Sequence, residues 1–242
     1  MAVNYNPEDV QKTIDKHVEA GNLHTGWEEL WAQGDSITLP WDKHKPNPTL
    51  EEVLTTKRAI IGGPLAYSTE GDFFGSKTRK KALVPGCGRG ADVLLLASFG
   101  YDAYGLEYSR SAIENCRQEE QAAEQKYPVR DAEIGKGTVS WVQGDFFEEG
   151  WLEGLGLSRN SFDFIYDYTV SFLTSGTYRD LMGASSFAHY LPHCARLGLY
   201  GTHSSWPLRR RATWSVSSFR GTRIPYSTAP HTAAHLRPIW SI

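Results

Sequence analysis

The sequence predicts a Rossmann-like α/β domain, a parallel sheet with flanking helices, that becomes irregular or incomplete after its fourth strand. Three observations lead there. Strand-like and helix-like apolar runs alternate between residues 81 and 166. A glycine loop, Gly86-Cys87-Gly88-Arg89-Gly90, separates the first strand from the first helix. An acid, Glu107, closes the second strand. Strands alternating with helices build parallel sheets with right-handed crossovers.

The elements follow in order. Residues 7–20 read as a helix, with Asn6 as N-cap, Pro7 at its first position and Gly21 to end it. A tryptophan-dense stretch, TGWEELWAQGDSITLPWD, follows. Thr49 to Glu52 has capping-box spacing, which predicts a helix near 49–60, broken by Gly62-Gly63-Pro64. Residues 81–85 are the first strand, and residues 91–99 the first helix of the α/β unit. Residues 101–106 are the second strand, and Ser109 or Ser111 caps a polar helix running to about Lys126. Residues 139–142 and 162–166 are the third and fourth strands. The expected division is a helical, Trp-rich lid over 1–75, a cofactor-binding core over 76–172, and an atypical tail over 173–242.

Composition narrows the classes. The chain has 242 residues, 40% of them hydrophobic, enough for a core of one α/β domain. No apolar run reaches the ~18 residues of a membrane span, and the first residues carry no basic-then-apolar leader. The three cysteines, Cys87, Cys116 and Cys194, are odd in number and lack CxxC spacing, which argues against a disulfide framework or a zinc site. A cytoplasmic monomer without membrane, nucleic-acid or metal partners is therefore the expectation. Residues 171–242 hold eight arginines against Asp180 alone, a net +7, so the remainder carries −10. The Arg209-Arg210-Arg211 cluster would suit nucleic acid, but reads better as a solvated stretch.

The loop and the acids carry the chemistry. A dinucleotide fingerprint reads G-x-G-x-x-G. Here the third glycine falls one residue early, which suits a ligand without phosphate, such as S-adenosylmethionine (SAM). Glu107 stands where an acid can accept both ribose hydroxyls. Asp145, after the third strand, can accept from an adenine amino group, with Phe146 packing on the ring. Asp167, after the fourth strand, is a further acid at the carboxyl edge. Trp27 and Trp31, spaced i, i+4, share a helix face, and Trp41 follows in a Pro-Trp turn. Indole faces attract cations such as a sulfonium, by ~0.5–2 kcal/mol.

Taken together, WEELWAQGDSITLPWD, LVPGCGRGADVLLLASFGYDAYGLEYSRSAIE, QGDFFE and FDFIYDYT resemble the thiol methyltransferase branch of the thiopurine S-methyltransferase superfamily over roughly residues 20–172. The resemblance implies a class I methyltransferase fold, SAM as cofactor, and methyl transfer to a small thiol, thiocyanate or halide. It implies cofactor contacts at Trp27, Trp31, Trp41, Gly86, Glu107, Asp145, Phe146 and Asp167. No catalytic residue is assigned, because a thiolate or halide needs no strong base; Tyr168 could touch the nucleophile.

Past about Phe172 the resemblance stops. The loss of Lys and Glu, with gains in Arg, Ser, His and Pro, resembles a coding sequence read in another frame from about residue 173, as a frameshift, a retained intron or a mis-predicted exon would give. Without further strands the fourth would be an exposed edge, and the chain is expected to fold poorly or be inactive. The competing readings are a SAM-binding protein without turnover, a nicotinamide-dependent oxidoreductase and a nucleic-acid binder.

Overall fold

The computed structural model describes residues 3–67, 75–148, 150–158 and 161–168, together with the backbone of 195–198 and 215–217. Its centre is a six-stranded sheet. Strand β5 (Lys81–Pro85) is followed by helix α5 (Ala91–Ser98), β6 (Asp102–Glu107), α6 (Arg110–Gln121) with the short α7 (Ala123–Lys126), β7 (Val139–Gln143), α8 (Gly150–Gly154) and β8 (Phe164–Asp167). Two later strands, β9 (Ala195–Gly198) and β10 (Ser215–Ser217), complete the order β10-β9-β8-β5-β6-β7. All neighbours are parallel except β9 and β10, which are antiparallel.

The chain runs outward from β5 through β6 to β7, then crosses back to place β8 on the other side of β5. That reversal is the switch point beside which open α/β sheets bind ligands, at the carboxyl ends of their strands. Side-chain alternation gives each sheet face its own core. Ala82, Val84, Phe164 and Tyr166 pack with α5 and with Leu50, Val53 and Leu54. Leu83, Leu106, Val142 and Ile165 pack with Phe146, Trp151 and Leu152. Helix α5 is buried nearly all round, as a helix covered by both sheet and neighbouring helices must be.

The expectation of an exposed fourth strand is corrected. β9 pairs with β8 over its whole length, from Phe164↔Ala195 to Asp167↔Gly198, so β8 is an interior strand. Ala-Arg-Leu-Gly carries no run or alternation, and tertiary pairing rather than local sequence selects it. Apart from β9 and β10, the proposed tail lies outside the described residues.

The N-terminal segment precedes this sheet. Strand β1 (Val3–Asn4) leads into α1 (Pro7–Glu19), capped by Asn6 in a box with Asp9. Helix α2 (Leu23–Trp31) follows, then β2 (Ile37–Thr38), which pairs with β1. Val10, Ile14, Leu30, Trp31, Ile37 and Leu39 form a third core with Ala112 of α6, so this layer docks on the main domain rather than standing apart. Helix α3 (Pro48–Thr56) and the short α4 (Arg58–Ile61) join it to the hairpin β3 (Leu65–Tyr67) and β4 (Lys77–Arg79). The cap of α3 is Asn47, whose side chain accepts from the Thr49 N–H at 2.9 Å, not the Thr49 box that the spacing predicts. Asn47 wins because its backbone is extended there and Pro48 already starts the helix.

Candidate functional site

The glycine loop turns sharply between β5 and α5. Gly86, Gly88 and Gly90 all have positive φ, near +55°, +54° and +83°. A Cβ on Gly88 would stand 3.0 Å from the Trp31 ring, and one on Gly90 would stand 2.4 Å from the Trp141 ring. The loop therefore needs glycine twice over, for backbone conformation and for close approach of two indoles.

Its donors are largely committed within the protein. The Cys87 N–H donates to the Leu106 carbonyl at 3.2 Å, and the Gly90 N–H to the Cys87 carbonyl at 2.9 Å. The Gly88 N–H donates to Glu107 Oε2 at 3.0 Å. The other oxygen of Glu107 accepts from Tyr108 N–H at 2.9 Å and Ser109 N–H at 3.3 Å. Burial pushes the Glu107 carboxyl above its ordinary range, while these three backbone donors oppose the rise. A carboxylate has about four acceptor positions, so Glu107 keeps capacity for a further donor.

The lid is clamped to this loop by named polar contacts. Glu28 of α2 accepts from Ser109 Oγ at 2.7 Å, from Ser111 Oγ at 2.5 Å and from the Ser111 N–H at 3.3 Å. It thereby puts an acid at the N-terminus of α6, where the helix dipole favours one. Burial alone would raise Glu28, but the two hydroxyls and the backbone donors hold it below its ordinary range. Arg89, inside the glycine loop and itself buried, donates from Nε to Asp42 at 2.8 Å and reaches Asp35 at 3.0 Å. Asn115 of α6 donates to the Trp31 carbonyl at 3.4 Å.

Of the three lid tryptophans, Trp31 is buried against Gly88, whereas Trp27 and Trp41 are half-buried and meet edge to face, with centroids 5.8 Å apart. Asp145 caps its own loop, since Oδ1 accepts the Phe147 N–H at 2.9 Å, and its Oδ2 stands 3.5 Å from His24 Nε2. Phe146 is buried in the core beneath that loop, edge-on to Phe147. Asp167 is buried at the carboxyl end of β8, and Tyr168 packs against the core around α5. Gly86, Glu107, Asp145 and Asp167 thus stand at the carboxyl ends of four parallel strands. Glu28, Arg89, His24 and Tyr108 join this edge without having been singled out in the sequence. Among the described residues no group of His, Cys, Asp and Glu could hold a metal ion.

Comparison with known proteins bears on this strand-end arrangement. Residues 72–175 match the thiopurine S-methyltransferase (TPMT) family. That segment is similar to the family over less than half of the chain. It includes Gly86, Glu107, Asp145, Phe146 and Asp167, while Trp27, Trp31 and Trp41 lie N-terminal to it. Thiocyanate methyltransferase 1 of Brassica oleracea is 32% identical over 164 residues, 68% of this chain and 54% of that protein. A probable thiol methyltransferase 2 of Arabidopsis thaliana is 30% identical over 148 residues, 61% of this chain and 49% of that protein. The chain thus spans about half the length of these curated relatives. Among solved structures, a chain described under conversion of a disulfide bond into a thioacetal during echinomycin biosynthesis is 23% identical, with a TM-score of 0.44, covering 66% of this chain and 53% of that one. A likeness that low carries no weight beside the strand order itself.

Proposed function

We propose that this chain, similar to the TPMT family over residues 72–175, binds SAM and transfers its methyl group to a small soft nucleophile, a thiol, thiocyanate or halide. One observation carries the cofactor reading. The N–H groups of Cys87, Gly88 and Gly90 are all committed within the protein, one of them to a buried carboxylate. A pyrophosphate would need those donors free, which disfavours the nicotinamide alternative. Glu107 suits a ribose hydroxyl in either ligand and does not separate the two.

The residues fit the cofactor. Glu107 would accept a ribose hydroxyl at its remaining acceptor position, Asp145 the base amino group, and Trp27 and Trp41 would offer indole faces near a cation. When bound, SAM supplies a methyl group already activated on a sulfonium. The protein's task is then to hold donor and acceptor in line and to exclude water, effects worth several kcal/mol. The clamp formed by Glu28 and Arg89 gives the lid the fixed position that exclusion of water requires. The thiocyanate methyltransferase relative favours thiocyanate and thiols as acceptors, and halide is the chemically similar extension. The composition change from about residue 173 supports a second reading, a chain that binds SAM without turnover.

Calorimetric titration of S-adenosylhomocysteine (SAH), with Glu107→Ala as control, tests the site, and methyl transfer to thiocyanate, hydrosulfide and iodide tests the activity. Binding abolished in the control supports the cofactor reading. Binding without transfer to any acceptor selects the second reading.

A further inference from the structure

His24 lies on the carboxyl edge of the sheet, between Tyr108 and Asp145. Its ring stacks on Tyr108, with centroids 3.7 Å apart and planes 21° apart. Tyr108 directly follows Glu107. On its other side His24 Nε2 stands 3.5 Å from Asp145 Oδ2. A flat heteroaromatic ring is therefore held by one aromatic face and one carboxylate. Those are the two contacts that a purine with an exocyclic amino group would use.

We propose that His24 is a placeholder for the cofactor's base, its imidazole filling the position between Tyr108 and Asp145 until the nucleoside displaces it. The inference rests on the SAM reading above. The first turn of α2 is built to let the ring go. Its N-cap position, Asn22, makes no side-chain capping bond, and its Oδ1 stands 3.0 Å from His17 Nδ1 instead. Gly21, with φ of +70°, precedes it. The hydrogen-bonded anchors of α2 come later, at Glu28, at Glu29 beside His17, and at Trp31, while Leu23 holds the first turn by apolar packing alone. An uncapped first turn can therefore open while the clamp stays closed.

The placeholder predicts a gain of affinity on its removal. Calorimetry on the full chain would compare SAH, adenosine and methionine in the wild type, His24→Ala and His24→Gln. His24→Ala should bind SAH and adenosine about three- to tenfold more tightly, the size of one aromatic stack and one partly exposed polar contact. Methionine, which has no base, should bind unchanged. His24→Gln keeps a polar group for Asp145 and loses the ring, so it should fall between. Equal or weaker binding of SAH by His24→Ala would make His24 a wall of the base pocket and overturn the proposal. If wild type and variant both melt cooperatively and neither binds SAH, the cofactor reading falls and the placeholder falls with it. The wild type gives an answer without any variant. Its His24 ring protons should be shifted upfield by Tyr108 and should move downfield at saturating SAH. A stack that persists in the complex overturns the idea.

Discussion

Asp92 should make this fold more stable at mildly acidic pH than at neutral pH. The residue sits in the first turn of α5, and its Oδ1 accepts the backbone N–H of Asn47 at 2.7 Å. Burial pushes its carboxyl from 3.8 up to about 6, and the Asn47 hydrogen bond only partly opposes this. Below about pH 4 the carboxyl is protonated in both folded and unfolded chains. Between about 4 and 6 the folded chain holds a proton that the unfolded chain has lost, so stability declines as pH rises. Above about 6 both forms are ionised and the full cost of burying the charge is present. At about 1.36 kcal/mol per pH unit, the rise corresponds to about 3 kcal/mol.

Asp92→Asn removes the charge and keeps the acceptor for Asn47. Urea unfolding at pH 4.5, 6 and 7.5 would follow the difference between wild type and variant. The variant should be within about 1 kcal/mol of the wild type at pH 4.5 and more stable by up to ~3 kcal/mol at pH 7.5. A difference that stays constant from pH 4.5 to 7.5 would refute the reasoning, since Asp92 would then not be titrating with folding.

Other perturbations follow from the same contacts. Gly90→Ala forces a Cβ to 2.4 Å from the Trp141 ring at a φ of +83°, and should cost on the order of 3 kcal/mol in chemical denaturation. Arg89→Met leaves Asp42 buried without its cation and should cost ~3 kcal/mol, whereas Asp35→Asn, on a largely exposed partner, should cost under ~1 kcal/mol by the same melts. Glu28→Ala should release the lid from α6, seen as faster proteolysis within residues 20–47 with the sheet core intact. In the wild type that clamp is present above the ordinary Glu28 range and is lost as pH falls below it, because Glu28 is held low in the fold. Aligning the coding DNA in all three frames tests the origin of residues from about 173 onward. A family-like continuation in another frame is expected, and its absence from both would end the idea of a frame change.

The sequence made the parallel core legible because each element carried its own local signal. The first strand matches residue for residue, and the others shift by one or two residues at their ends. Asn6 and Gly21 mark α1 through backbone chemistry that does not depend on tertiary context. The position of Glu107 at the end of β6, beside the glycine loop, was legible because the strand and the loop each carry a local signal. Glu28 and Arg89 could not be found that way. In WEELW, Glu28 and Glu29 look alike, yet one caps α6 and the other meets His17. Only the docking of α2 on α6 separates them. β9 was missed for a related reason, since four residues with no alternation become a strand only because β8 presents a ladder beside them.

The early third glycine now has a cause within the fold. In G-x-G-x-x-G the extra residue lets the loop present donors to a pyrophosphate before the helix begins. Here α5 starts directly after Gly90, whose left-handed backbone ends the turn and whose missing Cβ admits Trp141 from β7. Trp141 is held in turn by Glu120 of α6, which accepts its Nε1–H at 2.6 Å. The space that a longer loop would give to phosphate is therefore closed from below by an indole. From above it is closed by Trp31, with Glu107 drawing the Gly88 N–H inward. Restoring the dinucleotide spacing by inserting one residue after Gly88 would displace both indoles and the Glu107 bond together. The difference between the two loop types is thus one of packing by several side chains, not a one-residue edit.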